Sequence, residues 1–285
     1  MQPKIGVIGG SGVYQLGGLE NSEWLTVETP WGDPSDAILT GTLHGTEMAF
    51  LPRHGRGHLQ SPASINYRAN IDALKRLGCT DILAVSAVGS LRIDYKPGDF
   101  VLVDQYIDRT IQREKSFFGP GLVAHVSLAH PTCARLGQAV TQAATGLTLH
   151  QGATYLAMEG PQFSTRAESQ LYRSWGADVI GMTGMPEAKL AREAELCYAS
   201  IAMVTDYDCW HETAVDVAQV IATLTANADN ARQVVANLPA NLTHPDPCPC
   251  GCDRALTYAL MTAPPIRDPV LLAKLDAIAG RVLKD

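Results

Sequence analysis

The sequence predicts an α/β protein, a single domain with a mixed, twisted central sheet flanked by helices. Three observations carry that prediction. Short apolar runs of strand character alternate with amphipathic stretches along most of the chain. No Pro/Ser-rich linker and no internal repeat divides it, so residues 1–285 read as one domain. Polar residues recur just past the apolar runs, at Ser11, Arg53-His54, Ser86, Glu159, Thr183, Asp206 and Asp208. Open α/β sheets bind their ligands there, outside the carboxyl ends of strands.

In chain order, residues 5–8 read as the first core strand, ended by Gly9-Gly10-Ser11-Gly12. Strand-like pieces follow at 24–28, 37–42 and 47–52. Ser61-Pro62 has the form of a helix start, with Ser as N-cap and Pro at the first helical position, and Gly78 stops that helix. Residues 81–87 and 99–106 are expected as strands, 131–145 as a helix and 152–158 as a strand. Thr165-x-x-Glu168 is a capping box opening a helix to Trp175. A strand at 178–182, a helix at 186–195 and a strand at 197–204 come next. From Val217 to Leu238 apolar residues fall three and four apart, which describes one long amphipathic helix. A loop rich in Pro, Asn and Cys then leads to a last helix at 270–283.

The totals exclude several classes. Apolar residues make up 46% of the chain, enough for a sizeable core, and the formal charge is −7. With a pI near 5.6 and no basic cluster, a nucleic-acid polymer is not an expected partner. No apolar run approaches the roughly 18 residues of a membrane span. No signal-peptide pattern precedes the first strand. A soluble, cytoplasmic protein is the expectation.

Two carboxylates, Asp206 and Asp208, stand two apart at the end of the 197–204 strand. If the backbone stays extended, both point the same way. Desolvating such a pair is costly unless it binds something. A heterocycle bearing hydrogen-bond donors, such as an aminopurine, suits them. Gly9-Gly10-Ser11-Gly12 offers closely spaced N–H groups for an anion, although it is neither a dinucleotide fingerprint nor a Walker A loop. Arg53 brings a planar fork suited to phosphate. Ser11, Arg53, Ser86 and Thr183 together would make one oxyanion cradle.

Seven cysteines are present. The run His244-x3-Cys248-x-Cys250-x-Cys252 has metal-ligand residue types at cramped spacing. A C-x-C redox pair or free thiols is the favoured reading, and no metal is expected.

Longer motifs add a resemblance. They include Ile8-Gly9-Gly10-Ser11-Gly12, Arg53-His54-Gly55-Arg56, Asn66-Tyr67-Arg68-Ala69-Asn70 and Gly89-Ser90-Leu91-Arg92. To these belong Asp108-Arg109-Thr110, the stretch from Glu159-Gly160-Pro161-Gln162-Phe163-Ser164 to Glu168, and Thr205-Asp206-Tyr207-Asp208-Cys209-Trp210. In this order over about residues 5–238, the chain resembles the methylthioadenosine phosphorylase branch of the trimeric purine nucleoside phosphorylase family.

That resemblance implies a purine nucleoside phosphorylase-like fold and phosphorolysis of 5′-methylthioadenosine to adenine and 5-methylthioribose 1-phosphate. Inorganic phosphate is then a co-substrate, no cofactor is needed, and a homotrimer is expected. The positions matching the family's phosphate site are Ser11, Arg53, His54, Ser86, Ala87 and Thr183. Met182 matches a ribose-facing position and Phe163 one that stacks on the base. Asp206 and Asp208 match the pair on the purine's N7 and 6-amino edge, with Asp206 as proton donor. His58 and His125 match positions at the 5′ end of the ribose. Relatives acting on 6-oxopurines carry Asn at Asp206, Glu at Ser164 and a histidine where Val217 aligns; here Val217 and Val220 would favour a methylthio group. Gly181 departs from the Asn of animal members, and resembles the loop of methylthioinosine phosphorylases. The alternative is therefore a purine nucleoside or methylthioinosine phosphorylase with a 6-oxopurine substrate. The segment from about 240 to 285 lies outside the animal pattern and stands as a candidate lid or subunit contact.

Overall fold

The computed structural model describes residues 3–10, 12–14, 16–211 and 217–283. Among the described residues, nine strands form one sheet: β1 (Lys4–Gly9), β2 (Glu20–Leu25), β3 (Ile38–Leu43), β4 (Thr46–Pro52), β5 (Asp81–Ser90), β6 (Phe100–Asp108), β7 (Leu149–Ala157), β8 (Val179–Gly181) and β9 (Cys197–Tyr207). Seven helices accompany it: α1 (Tyr67–Arg76), α2 (Ala134–Ala143), α3 (Arg166–Ser174), α4 (Gly184–Glu193), α5 (Val217–Asn241), α6 (Pro269–Lys274) and α7 (Asp276–Leu283).

The strand order is β2-β3-β4-β1-β5-β8-β7-β6-β9, and β9 also pairs with β5. One half of this mixed sheet therefore curls closed through β5, β8, β7, β6 and β9, while β1, β4, β3 and β2 extend from it. β1 runs parallel to both β4 and β5. β5 runs parallel to β9 from Asp81 opposite Cys197 to Ser90 opposite Tyr207, with a register shift after Val88.

Strand periodicity sorts the core into two faces. Ile82 and Ala84 of β5 join Ile8, Leu51, Leu74 and Leu190 on one side. Leu83 and Val85 join Ile5, Val7, Leu136, Val140 and Val235 on the other. Helices α1 and α4 thus cover the first face, and α2 and α5 the second. Such double coverage is why the strands read as continuous apolar runs.

Three expectations are corrected. The first helix begins at Tyr67 rather than beside Ser61, because Asn66 caps it by accepting from Ala69 N while Ser64 N closes a separate turn onto Ser61 O. The strand expected over 81–87 continues to Ser90, since β8 and β9 supply partners there. The last helix is two, α6 and α7, meeting at fully buried Leu275. Asp276 opens the second and pairs with Arg76 of α1. The capping box at Thr165 and Glu168 forms as read, with both reciprocal bonds present.

The C-terminal segment packs on its own chain. Leu256, Ala259, Leu275 and Ile278 enter the core beside α1 and α4, and Arg281 pairs with Glu195 at 2.6 Å.

Candidate active site

The carboxyl ends of β5 and β9 bring the two aspartates together. Gly89 lies opposite Asp206 in the ladder. A Cβ added at Gly89 would stand 3.5 Å from both Asp206 Oδ2 and Asp208 Cβ, and 3.3 Å from Ile180. Both side chains therefore project over the same glycine, as the period-two argument requires. The sequence offered Gly89 as part of a motif but gave no sign that it lies beneath the two aspartates. Its value is the open face it leaves beneath the carboxylates.

The environments of the two acids differ. Burial pushes the Asp206 carboxyl up to about 6, the neighbouring Asp208 charge adds to this, and the Thr205 hydroxyl bond opposes it. That bond runs from Thr205 Oγ1 to Asp206 Oδ1 at 2.6 Å. Asp208 is 3% exposed; burial raises its pKa as well. Its buried Oδ2 makes no hydrogen bond of normal geometry, although the buried Ser169 hydroxyl lies close enough to favour the carboxylate, so it keeps acceptor capacity for a donor. Backbone bonds fix the turn: Asp208 N donates to Ser90 O at 3.0 Å, and Trp210 Nε1 to the same oxygen at 2.8 Å. Cys209 Sγ donates to Ser164 O at 3.2 Å, which sets the Phe163-Ser164 loop beside the pair. Phe163 is 54% exposed.

The polar residues expected to hold an anion converge one step down β5. Arg53 follows β4, is 2% exposed, and donates from Nη1 to Val85 O at 2.8 Å, next to Ser86. Its Nη2 reaches Ile8 O at 3.2 Å. Nε and Nη2 also hold Glu187 of α4 at 2.7 and 3.1 Å. Burial works against the guanidinium charge, and the Glu187 carboxylate more than offsets it. Arg53 is therefore not the free cation that its sequence position suggested. Glu187 is its counter-ion, and Tyr198 OH donates to Glu187 Oε2 at 3.1 Å.

Ser86 is buried and its Oγ has no partner. Ala87, in a strand otherwise sealed on both sides, is exposed, so β5 opens onto a cleft at this point. Thr183 is buried at the start of α4 and makes no side-chain cap bond; the backbone turns extended at Met185, so the regular helix begins only after it, and the Thr183 hydroxyl lies beside Tyr155 OH. His54 Nδ1 lies 2.9 Å from Gln60 O. A carbonyl only accepts, so Nδ1 carries the proton. Burial pushes the imidazole down to about 4, aided by the Arg53 and His58 charges and opposed by Gln60. The ring stacks on exposed His58 at 4.3 Å. Ser11 lies outside the described residues; beside it, Arg232 of α5 donates to Gly12 O at 2.8 Å.

Met182 links Gly181, the end of β8, to Thr183. Its carbonyl accepts from Arg113 Nη1 at 2.6 Å, as does that of Met185. Arg113 is nearly buried and also meets Tyr67 OH, Glu159 and the Met158 carbonyl. Glu159 is held by this arginine and by the N–H groups of Ile111 and Gln112, so it anchors the loop. Tyr155 sets the shape from below. Its hydroxyl would stand 2.0 Å from a Cβ at Gly181 and accepts from Thr183 N at 3.4 Å. The glycine that departs from the animal pattern is thus paired with a tyrosine that fills its space.

Hydrogen bonds and ring contacts among the described residues do not connect His125, Val217 or Val220 to the aspartates. His125 N donates to Ala259 O in the loop zipped to the C-terminal segment. Val217 is 56% exposed at the start of α5, and Val220 is half-buried. Glu187, Arg113 and Tyr155 were missed from sequence. A carboxylate four residues past Thr183, in a helix that also carries Lys189, Arg192 and Glu193, gave no distinct signal for Glu187.

Fold and site together define an α/β protein with a carboxylate pair and an anion cradle at adjoining strand ends. Residues 4–239 match the model of the phosphorylase superfamily, and the chain belongs to that family. It is 69% identical to S-methyl-5′-thioadenosine phosphorylase of Cereibacter sphaeroides over 100% of both chains. It is 61% identical to the protein of the same name from Rhodospirillum rubrum, over 99% of this chain and 98% of that one. Among solved structures it resembles a methylthioadenosine phosphorylase from an antarctic soil metagenomic library, with TM-score 0.91 and 48% identity, covering 97% and 99% of the two chains. It also resembles the methylthioadenosine phosphorylase of Schistosoma mansoni in complex with tubercidin, with TM-score 0.78 and 39% identity over 84% and 91%.

Proposed function

We propose that this chain catalyses phosphorolysis of 5′-methylthioadenosine, giving adenine and 5-methylthioribose 1-phosphate, a pentosyl transfer in nucleoside salvage. The observation that carries the reading is the pair of carboxylates over Gly89, one pushed up to about 6 and the other with a buried oxygen that makes no hydrogen bond of normal geometry. Asp208 accepts from the 6-amino group and Asp206 donates to N7. A 6-oxo base would put an acceptor against acceptors, a mismatch of several kcal/mol in a buried site.

Phosphate lies between Ser86, Thr183, Arg53, His54 and the Ala87 backbone, with Ser11 completing the cradle. Ser86 and Gly89 are three residues apart on β5, roughly 10 Å along the strand, room for a ribose between anion and base. In the reaction a phosphate oxygen bonds to C1′ as the C1′–N9 bond breaks. The electron pair leaves with the purine, and the Asp206 proton moves to N7. With Asp206 near 6, roughly a tenth is protonated at pH 7, and hydrogen bonding to N7 favours that form further. The phosphate dianion stabilises the cationic ribose electrostatically, so no covalent enzyme intermediate is required.

The reading extends to a homotrimer in the cytoplasm that needs no cofactor. Exposed Phe163 and Val217 support a contribution from a second copy, because the described single chain leaves both uncovered. Met182 would face the ribose, Phe163 would stack on the base, and His58, His125, Val217 and Val220 would line the 5′ end. No described helix is long and apolar enough to cross a membrane.

The test compares methylthioadenosine with methylthioinosine, each with and without phosphate. Adenine release that requires phosphate is expected. Release in phosphate-free buffer would mean a hydrolase, and a clear preference for the inosine compound would sink the 6-amino assignment.

A further inference from the structure

At the end of β9 remote from Asp206, four thiols meet. Cys197 is the first residue of the strand and Cys133 the N-cap of α2. Cys248 and Cys252 come from the C-terminal loop. All four are buried, at 3% exposure or less, and all four sulfurs lie within 4.8 Å of one another. Cys248 Sγ is 3.8 Å from Cys133 Sγ and 3.5 Å from Cys197 Sγ. None of the seven cysteines is in a disulfide, whose sulfurs would be about 2.05 Å apart.

Those spacings have a specific meaning. A metal bonded to four sulfurs at about 2.3 Å in a tetrahedron sets every sulfur–sulfur edge at about 3.8 Å. We propose that Cys133, Cys197, Cys248 and Cys252 bind one zinc ion as a closed tetrathiolate that pins the C-terminal segment to β9 and α2. Binding releases the four thiol protons and leaves a complex of net charge −2. A buried S4 set with no open position suits a structural ion rather than a catalytic one.

The surroundings fit that charge. The Arg135 guanidinium reaches Cys197 and pairs with Asp81, placing a cation where a dianionic centre needs one. The loop is already folded as a ligand knuckle: Gly251 N donates to Cys248 O at 2.8 Å, with Gly251 at φ +68°. Cys248 N donates to Asp253 Oδ2 at 2.8 Å. Cys248 and Cys252 are spaced C-x3-C, within the range of zinc knuckles. The sequence reading stopped at the local run and expected no metal, because Cys133 and Cys197 lie 115 and 51 residues from Cys248. His244 and Cys250 are not part of the cluster. His244 Nδ1 lies 3.0 Å from Asp81 Oδ2, and half-buried Cys250 neighbours Cys133 without joining the four mutually close sulfurs.

The experiment measures metal in the full-length protein purified under reducing conditions from zinc-replete cells. Elemental analysis and native mass spectrometry should give about one zinc per chain, falling below roughly a tenth in Cys248→Ser and unchanged in Cys250→Ser. Should Cys248→Ser fail to fold, cobalt exchanged into the wild-type chain supplies the second readout: intense visible bands of a tetrahedral cobalt thiolate. A thiol-competing chelator should lower Tm and expose the 242–262 loop to protease. Zinc lies roughly 30 Å of strand from Asp206, so activity measured below the lowered Tm should persist. A chain without stoichiometric zinc, zinc content indifferent to Cys248→Ser, or two disulfides among these cysteines in the unreduced intact mass would each overturn the assignment.

Discussion

Arg53 and Glu187 form a two-point ion pair, Nε to Oε1 at 2.7 Å and Nη2 to Oε2 at 3.1 Å, with both side chains sealed from solvent. Arg53, proposed for the phosphate site, is thereby held in one orientation by a carboxylate of α4.

Removing that carboxylate leaves a buried, unpaired guanidinium. Glu187→Ala is expected to cost about 3–5 kcal/mol of stability. Phosphate, as a replacement counter-ion, should recover part of the loss. Urea unfolding with and without phosphate checks this; equal phosphate stabilisation in variant and wild type would argue against the shared cradle.

Asp206→Asn removes the proposed acid while keeping size and polarity. A loss of kcat of about 10²–10⁴-fold on methylthioadenosine is expected. In the wild type, kcat/KM at constant phosphate dianion should fall as pH rises through about 6, because only the protonated acid donates. The variant should lack that limb. An unchanged pH profile would remove Asp206 from the proton transfer.

The same substitution should stabilise the fold at alkaline pH. Asp206 is raised from 3.8 to about 6 in the folded chain, so the native state binds its proton more tightly than the unfolded one. Stability is therefore lost as pH rises from about 4 to about 6, leaving a penalty on the order of 3 kcal/mol above that window. Asp206→Asn should unfold at higher urea than wild type at pH 8, with the difference vanishing near pH 4. A less stable variant at pH 8 would contradict the burial argument.

Gly181 and Tyr155 should behave as a coupled pair. Gly181→Ala forces its Cβ against the tyrosine hydroxyl and should cost about 1–3 kcal/mol. Tyr155→Phe removes the nearest atom but leaves the ring carbon at 2.6 Å, so the double variant should recover only part. A double-mutant cycle reads the coupling directly; additive effects would mean the two do not share that space.

Val217→His tests the 5′ end. A hydrogen-bonding group in place of an apolar one should shift the ratio of kcat/KM for adenosine over methylthioadenosine upward by about 10–200-fold. An unmoved ratio would remove Val217 from specificity.

Much of this was legible in the sequence. Apolar period and punctuation gave the strands and the long helix α5. Asp206-Tyr207-Asp208 announced two carboxylates on one face, because alternation along a strand is a local rule. The capping box at Thr165 was equally local. What sequence did not yield depended on partners distant in the chain. That Arg53 is neutralised by Glu187 rests on a contact across 134 residues. That β9 closes back on β5, with Gly89 beneath both aspartates, rests on pairing between strands more than a hundred residues apart. The cysteines show the limit most plainly. Residue type and spacing offered a cramped local run, and only the closing of the sheet brought Cys133 and Cys197 to meet it. Local rules determine which elements form and which way their side chains face. Which charges cancel, which thiols touch and which glycine makes room are set by packing, since those energies depend on through-space distance.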